Sequence, residues 1–182
     1  MSKPIAVLVG SLRKESYNLK VAKVLAKLAP SSLELKIIQI GDLPLYNEDI
    51  DAGTPPAAYT RFRNEIAACQ GVLFVTPEYN RSTPAVIKNA IDVGSRPYGK
   101  SVWAKKPAGV ISVSPGAIGG FAANHHLRQS LVFLDMPTLQ QPEAYFGGVA
   151  NAFDAQGNIA EKSQEFLQQF IDAYSSWFEK TR

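Results

Sequence analysis

Residues 10–18, Gly-Ser-Leu-Arg-Lys-Glu-Ser-Tyr-Asn, combine hydroxyls and amides with one guanidinium in a short run. They follow the apolar residues Ile5, Ala6, Val7, Leu8 and Val9 and lead into a helical pattern near Leu19. A strand, a polar turn and a helix in that order bring unpaired backbone amides to a helix N-terminus, where the dipole also favours negative charge. Arg13 adds a planar fork of donors, and Ser11, Ser16 and Asn18 add short polar side chains. The chemistry of such a set is phosphate retention, so a phosphorylated cofactor is expected. Ser16 has a second reading as the helix cap, a role worth about 1 kcal/mol. Glu15 is expected to point outward, because a carboxylate beside a phosphate dianion is unfavourable. The stretch has neither the G-x-G-x-x-G spacing of a dinucleotide site nor the G-x-x-x-x-G-K-[ST] spacing of a nucleoside-triphosphate loop.

Two further stretches are suited to a ligand. Residues 76–84 read Thr-Pro-Glu-Tyr-Asn-Arg-Ser-Thr-Pro. Pro77 confines Thr76 to an extended shape and donates no hydrogen bond, which leaves the following amides free to face a flat heterocycle. Thr83 is the expected N-cap of the next helix, with Pro84 at its first position. Residues 112–120 contain Gly116, Gly119 and Gly120, which let the backbone approach a ligand closely.

Apolar patterning identifies the elements that must hold these loops. Runs at 4–9, 33–40, 71–76 and 107–113 are rich in Val, Ile and Leu without strict alternation, as strands buried on both faces are. A short fifth strand is expected at 138–140. Helical spacing marks 19–28, 57–68, 85–92, 122–134 and 160–180. In the last of these, Phe166, Leu167, Phe170, Ile171, Tyr174 and Trp177 form a stripe read as core. Strand and helix in alternation predict an α/β fold: a parallel sheet with helices on both faces and right-handed crossovers. Five strands fit the flavodoxin-like order 2-1-3-4-5, whose ligands sit beyond the carboxyl ends of the strands at the switch point. The loops after strands one, three and four, which are the three polar stretches, then meet at one edge.

Composition excludes several classes. A chain of 182 residues, 46% hydrophobic and 19% charged, has enough apolar material for one core and is read as a single domain, 1–182. Cys69 is the only cysteine, so no intrachain disulfide forms and a reducing compartment is expected. It follows Ile66-Ala67-Ala68 and reads as a structural thiol at the end of a helix. No signal-like segment or membrane-length run is present, which points to the cytoplasm and to no membrane partner. The net charge of +3 is mildly basic, but no long Lys/Arg run interleaves with aromatics, which argues against nucleic acid. Basic residues gather at Arg13-Lys14 and from Arg96 to Lys106, where they would attract anionic cofactors or substrates. His125 and His126 are adjacent in a helical pattern, about 100° apart, and do not share a metal. They and Glu143 are read as packing or subunit contacts, and no metal is expected.

Gly10-Ser-Leu-Arg-x-x-Ser-x-Asn18, Thr76-Pro-Glu-Tyr-Asn80, Lys88-Asn-Ala-Ile-Asp92 and Gly119-Gly120 together resemble the NAD(P)H-dependent FMN reductase family, in particular its bacterial quinone and chromate reductases. The similarity runs from the first strand to about Gly148 and includes Leu127-Arg-Gln-Ser-Leu-Val-Phe-Leu-Asp135. It implies FMN as cofactor and NADPH or NADH as electron donor. Hydride would pass from the nicotinamide to flavin N5, and electrons then to quinones or to other acceptors such as chromate, azo or nitro compounds. The flavin carries the chemistry and no side chain is a catalytic nucleophile. By the same resemblance Ser11, Arg13, Ser16, Tyr17 and Asn18 hold the FMN phosphate. Pro77, Glu78, Tyr79 and Asn80 line the isoalloxazine, mostly through backbone, and Ser114 lies at its other edge. Glu78 is read as shaping its loop rather than as a general acid. A homodimer with active sites at the interface is implied, with dimers pairing into a tetramer and Asn47 contributed from the partner. One departure stands out: Val93-Gly94-Ser95-Arg96 follows Asp92, where many relatives carry a Trp. Tyr98 and Trp103 lie in the loop beyond, which leaves the shape of the acceptor pocket open.

Other classes fit less well. An electron-carrier flavodoxin would share the fold and FMN but present a strongly acidic surface, against the observed +3. A receiver-type signalling domain needs an acidic cluster for Mg²⁺ at the end of the first strand, where Gly10-Ser11 stand. A non-catalytic FMN-binding redox sensor stays open at the level of sequence.

Overall fold

The computed structural model describes residues 2–182. In chain order its elements are β1 (Lys3–Val9), α1 (Tyr17–Leu28), β2 (Leu33–Ile38), the one-turn α2 (Glu48–Asp51), α3 (Ala57–Ala67) and β3 (Gly71–Thr76). They continue with α4 (Ala85–Gly94), β4 (Ala108–Val113), α5 (Phe121–Phe133), β5 (Ala144–Phe146) and α6 (Glu161–Thr181). The five strands form one parallel sheet in the order β2-β1-β3-β4-β5. This is the flavodoxin-like arrangement expected from the apolar runs, and it gathers the carboxyl ends of all strands at one edge.

The period of two along the strands divides the interior into two cores. Ala6, Leu8, Val72, Phe74 and Val110 face one side, where α3, α4 and α5 contribute Phe62, Ile66, Ile87, Ala90 and Leu127. Ile5, Val7, Leu73, Val75 and Ile111 face the other, covered by α1 and α6 through Val21, Leu25, Phe170, Ile171 and Tyr174. Two residues on this second face are glycines because Tyr174 lies against them. A Cβ at Gly71 would sit 2.5 Å from the Tyr174 hydroxyl, and one at Gly109 would sit 2.8 Å from its ring. The Tyr174 hydroxyl donates to Pro107 O at 3.2 Å, which satisfies it in the core.

The departure after Asp92 is resolved by packing. Val93 is fully buried, and Trp103 folds back from the following loop into the α3–α4 core, with its indole N–H donating to Ile91 O at 3.0 Å. Gly94 makes room: a Cβ there would lie 2.6 Å from three indole atoms. Asn89 on α4 pins the 43–46 segment, since its Oδ1 accepts from Tyr46 N at 2.8 Å and its Nδ2 donates to Pro44 O at 2.8 Å. Beside it, Arg63 grips Asp51 with two bonds of 2.8 and 2.7 Å, both side chains nearly buried.

Two expectations are corrected. The fifth strand is Ala144–Phe146, not 138–140; Thr138 makes only an isolated bridge to Ala108. That bridge consists of Ala108 N donating to Pro137 O at 2.9 Å and Leu139 N donating to Ala108 O at 2.8 Å; Pro142 cannot donate, and the ladder resumes only at Ala144. The N-cap of α4 is Pro84, not Thr83, because Pro84 itself is extended at φ −66°, ψ 148°. Cys69 is buried as expected, and burial pushes its thiol up, away from thiolate chemistry. Among the described residues, no helix is long and apolar enough to cross a membrane.

Gly94→Ala is expected to lower the unfolding free energy by about 1–3 kcal/mol, because the buried indole must move. Urea unfolding followed by Trp fluorescence measures this, and an unchanged midpoint would refute the tight Gly94–Trp103 contact.

Candidate functional site

At the carboxyl edge, β1 runs into the 10–16 loop. Gly10 N still donates to Val75 O at 2.9 Å, and the chain then leaves the sheet between β1 and β3, the two strands of the switch point. Ser16, 2% exposed, caps α1: its Oγ accepts from Leu19 N at 3.2 Å. The hydroxyl proton of Ser16 stays available to a further acceptor. Among the described residues, the amides of Ser11, Leu12, Arg13, Tyr17 and Asn18 donate to no backbone carbonyl. Glu15 is exposed and pairs with Lys20 at 3.7 Å, which takes its carboxylate out of the loop as expected.

The loop after β3 starts at the fully buried Thr76, whose hydroxyl donates to Pro77 O at 2.8 Å. Glu78 follows with both carboxylate oxygens engaged: Oε1 accepts from Arg81 at 3.0 Å and Oε2 from Ala123 N at 3.2 Å. Burial alone would raise this carboxyl, but the Ala123 amide, the Arg81 guanidinium and the Ala122 amide outweigh it and hold it below the usual carboxylate range. Tyr79 and Ser82 exchange backbone bonds of 3.0 Å around a two-residue turn with Asn80 at φ 51° and Arg81 at φ 63°. Such a turn needs left-handed residues at both centres, which explains the asparagine.

The loop after β4 is tied to β5. Ser114 N donates to Phe146 O at 3.0 Å, Val149 N to Ser114 O at 3.2 Å, and Ser114 Oγ accepts from Gly116 N at 3.1 Å. Gly119 presses on the β5 backbone, where a Cβ would stand 2.7 Å from the carbonyl carbon of Tyr145.

These three loops enclose a cleft of about 310 Å³. Ser11, Arg13, Tyr17, Asn18, Pro77, Glu78, Tyr79 and Ser114 line it, so eight expected residues converge, and Val113, Pro115 and Val149 complete the wall. Ser16 and Asn80 do not line it: one is the helix cap and the other forms the turn. Val113, Pro115 and Val149 carry no polar signal that sequence reading could have used. A second hollow of about 370 Å³, walled by Tyr46, Glu48, Asp51, Ala52, Arg96, Pro97 and Tyr98, includes no residue of these loops. His125 bonds the Tyr145 hydroxyl at 2.7 Å and packs on Phe121, while His126 reaches Ser82 at 3.0 Å.

One observation tests whether the cleft fits a phosphorylated ligand. Asn18 is 5% exposed, lines the cleft, and its Oδ1 is buried without a partner. Buried polar atoms are rarely left unpaired, so this side chain awaits a ligand hydroxyl, or presents its NH₂ to an anion once the amide is turned. With the unpaired amides and the exposed Arg13, the donor set fits a sugar-alcohol phosphate at the N-terminus of α1.

Comparison with known proteins agrees with this chemistry. The family model described as NADPH-dependent FMN reductase matches residues 4–151. A "Quinone reductase" of Pseudomonas putida is 65% identical over 178 residues, covering 98% of this chain and 96% of that protein. A "2-hydroxy-1,4-benzoquinone reductase" of Burkholderia sp is 46% identical over 183 residues, covering all of both chains. Among solved structures, FerB, a flavoenzyme NAD(P)H:(acceptor) oxidoreductase from Paracoccus denitrificans, superposes with a TM-score of 0.92 at 47% identity, covering 98% of each chain. With the switch-point cleft and these matches together, the chain belongs to the NADPH-dependent FMN reductase family.

Proposed function

We propose that this chain is an NAD(P)H-dependent quinone reductase that holds FMN in the cleft between the loops after β1, β3 and β4. The observation carrying this reading is the unpartnered Oδ1 of Asn18, buried beside free amides and Arg13 at the start of α1. FMN, when bound, supplies two-electron transfer between a nicotinamide and a second substrate. The chain supplies retention and orientation. Arg13, Ser11, Ser16 and the amides of Tyr17 and Asn18 hold the phosphate, with the Ser16 hydroxyl both capping α1 and donating outward. The backbone of Pro77, Glu78 and Tyr79 faces one edge of the ring system and Ser114 the other, with Asn80 keeping the turn in shape. Glu78 is fully hydrogen-bonded and is not free to move a proton. No nucleophilic side chain is required.

The acceptors are quinones, with chromate, azo and nitro compounds as further candidates, because flat or small oxidants can occupy the space a nicotinamide vacates. The exposed Leu45 and Ile50 on either side of Asn47 in sequence, and the exposed Tyr98 in the wall of the second hollow, support a homodimer in which the Asn47 segment reaches the partner's site. Pairing of such dimers gives the tetrameric form. The cytoplasm, where NAD(P)H is available, is the expected compartment.

Arg13→Ala is expected to weaken FMN binding by about 1.5–3 kcal/mol, the range of a hydrogen bond to a charged group. Fluorescence titration of the apoprotein measures it, and unchanged affinity would refute the phosphate assignment. Anaerobic NADPH is expected to bleach the flavin absorbance of the holoprotein, and a benzoquinone to restore it. Failure to bleach would favour the sensor reading instead. Stopped-flow reoxidation with quinone, chromate, azo and nitro acceptors is expected to rank quinones first.

A further inference from the structure

Two contacts fasten the segment after β3 to α5. Glu78 Oε2 accepts from Ala123 N at 3.2 Å, and Ser82 Oγ lies 3.0 Å from His126 Nδ1. Ala123 and His126 are three residues apart and share one side of the helix. α5 needs such help. Its N-cap is Gly120, in the left-handed region at φ 78°, and no side chain of its own caps it. The first amides of a helix have no intrahelical acceptor. Glu78 reaches them from 45 residues before Ala123, with its side chain only 11% exposed. Its second oxygen holds Arg81, a non-glycine residue kept at φ 63°. A branched-out side chain in that conformation persists only where its surroundings fix it.

We propose that Glu78 is a positioning residue: its carboxylate is the N-terminal cap of α5 and, through Arg81, the brace of the turn that places Tyr79 in the cleft. The ring-facing backbone and the start of α5 then move as one body. The cap also couples the loops after β3 and β4, since α5 begins where the second of these ends. The carboxyl is held below its usual range despite burial, so the brace is ionised at neutral pH. This inference rests on the reading that the cleft holds FMN.

Hydrogen exchange on the FMN-free full chain and FMN titration test it together. Glu78→Ala is expected to speed exchange at the Ala122 and Ala123 amides about tenfold, with α6 unchanged, and to raise the FMN Kd about tenfold. Glu78→Gln keeps an acceptor without the charge and is expected to rescue both partly; it decides the matter if the alanine variant does not fold. Arg81→Ala leaves the cap and is expected to raise the FMN Kd about threefold with α5 exchange unchanged. Unchanged α5 exchange in a folded Glu78 variant would overturn the cap. Faster exchange with unchanged FMN affinity would overturn the link to the cleft. Wild-type chain that fails to bind FMN would instead overturn the proposed function, while the exchange measurement still judges the cap.

Discussion

Gly10 lies so close to the segment after β3 that a Cβ in its place would sit 2.7 Å from Pro77, 2.8 Å from Ile87 and 2.9 Å from Pro84. The Gly10 backbone therefore packs directly on the rings of Pro77 and Pro84 and the tip of Ile87, with no side chain of its own between them. Pro77 and Pro84 contribute rigid apolar surface and give up a donor that would otherwise need a partner there. The cleft opens outward from this contact. Its shape is set by main chain that cannot relax far, because Gly10 also continues the β1–β3 ladder through Val75.

Around that junction the polar groups divide into those that hold the loops and those left free. Asn89 spends its whole amide on the 43–46 segment, and Arg63 spends its fork on Asp51 and Val93 O. Glu78 is fully engaged as well. Removing one partner from a buried set of this kind leaves the others desolvated and unpaired, at a cost of several kcal/mol. The free groups lie instead at the start of α1, where Asn18 and a row of amides face the cleft. A preorganised donor set beside a rigid wall is what a tightly retained anionic cofactor requires.

Much of this was legible in the sequence because the signals were local. Four apolar runs of strand length gave the sheet order, and three polar loops at strand ends pointed to one edge. The fifth strand was missed because three residues carry little pattern, and prolines on either side drew attention to the wrong segment. Asn80 shows a demand that sequence reading did not anticipate: its residue type suits the positive φ of the turn. Ser16 reads as cap or ligand, and its bond from Leu19 N is the cap, which leaves the hydroxyl proton free for the other role. The bond from Glu78 to Ala123 joins residues 45 apart and left no trace in spacing. The packing of Trp103 against Gly94 and Ile91 is likewise a contact across the loop that only the packed core reveals.

The docking of α6 bears on how the chain is made. Gly71 and Gly109 lie bare on the sheet until Tyr174 arrives, more than sixty residues after β4 begins. On a ribosome, β1, β3 and β4 are all made while α1 is the only helix yet available to cover Ile5, Leu73, Val75 and Ile111 on that side. Parallel pairing already requires distant segments to meet, and it is slow for that reason. A nascent chain halted before α6 would expose the apolar sheet surface that α6 covers to its neighbours in a polysome. The strand edges that later frame the cleft are thus steadied from behind by the helix that is synthesised after all of them.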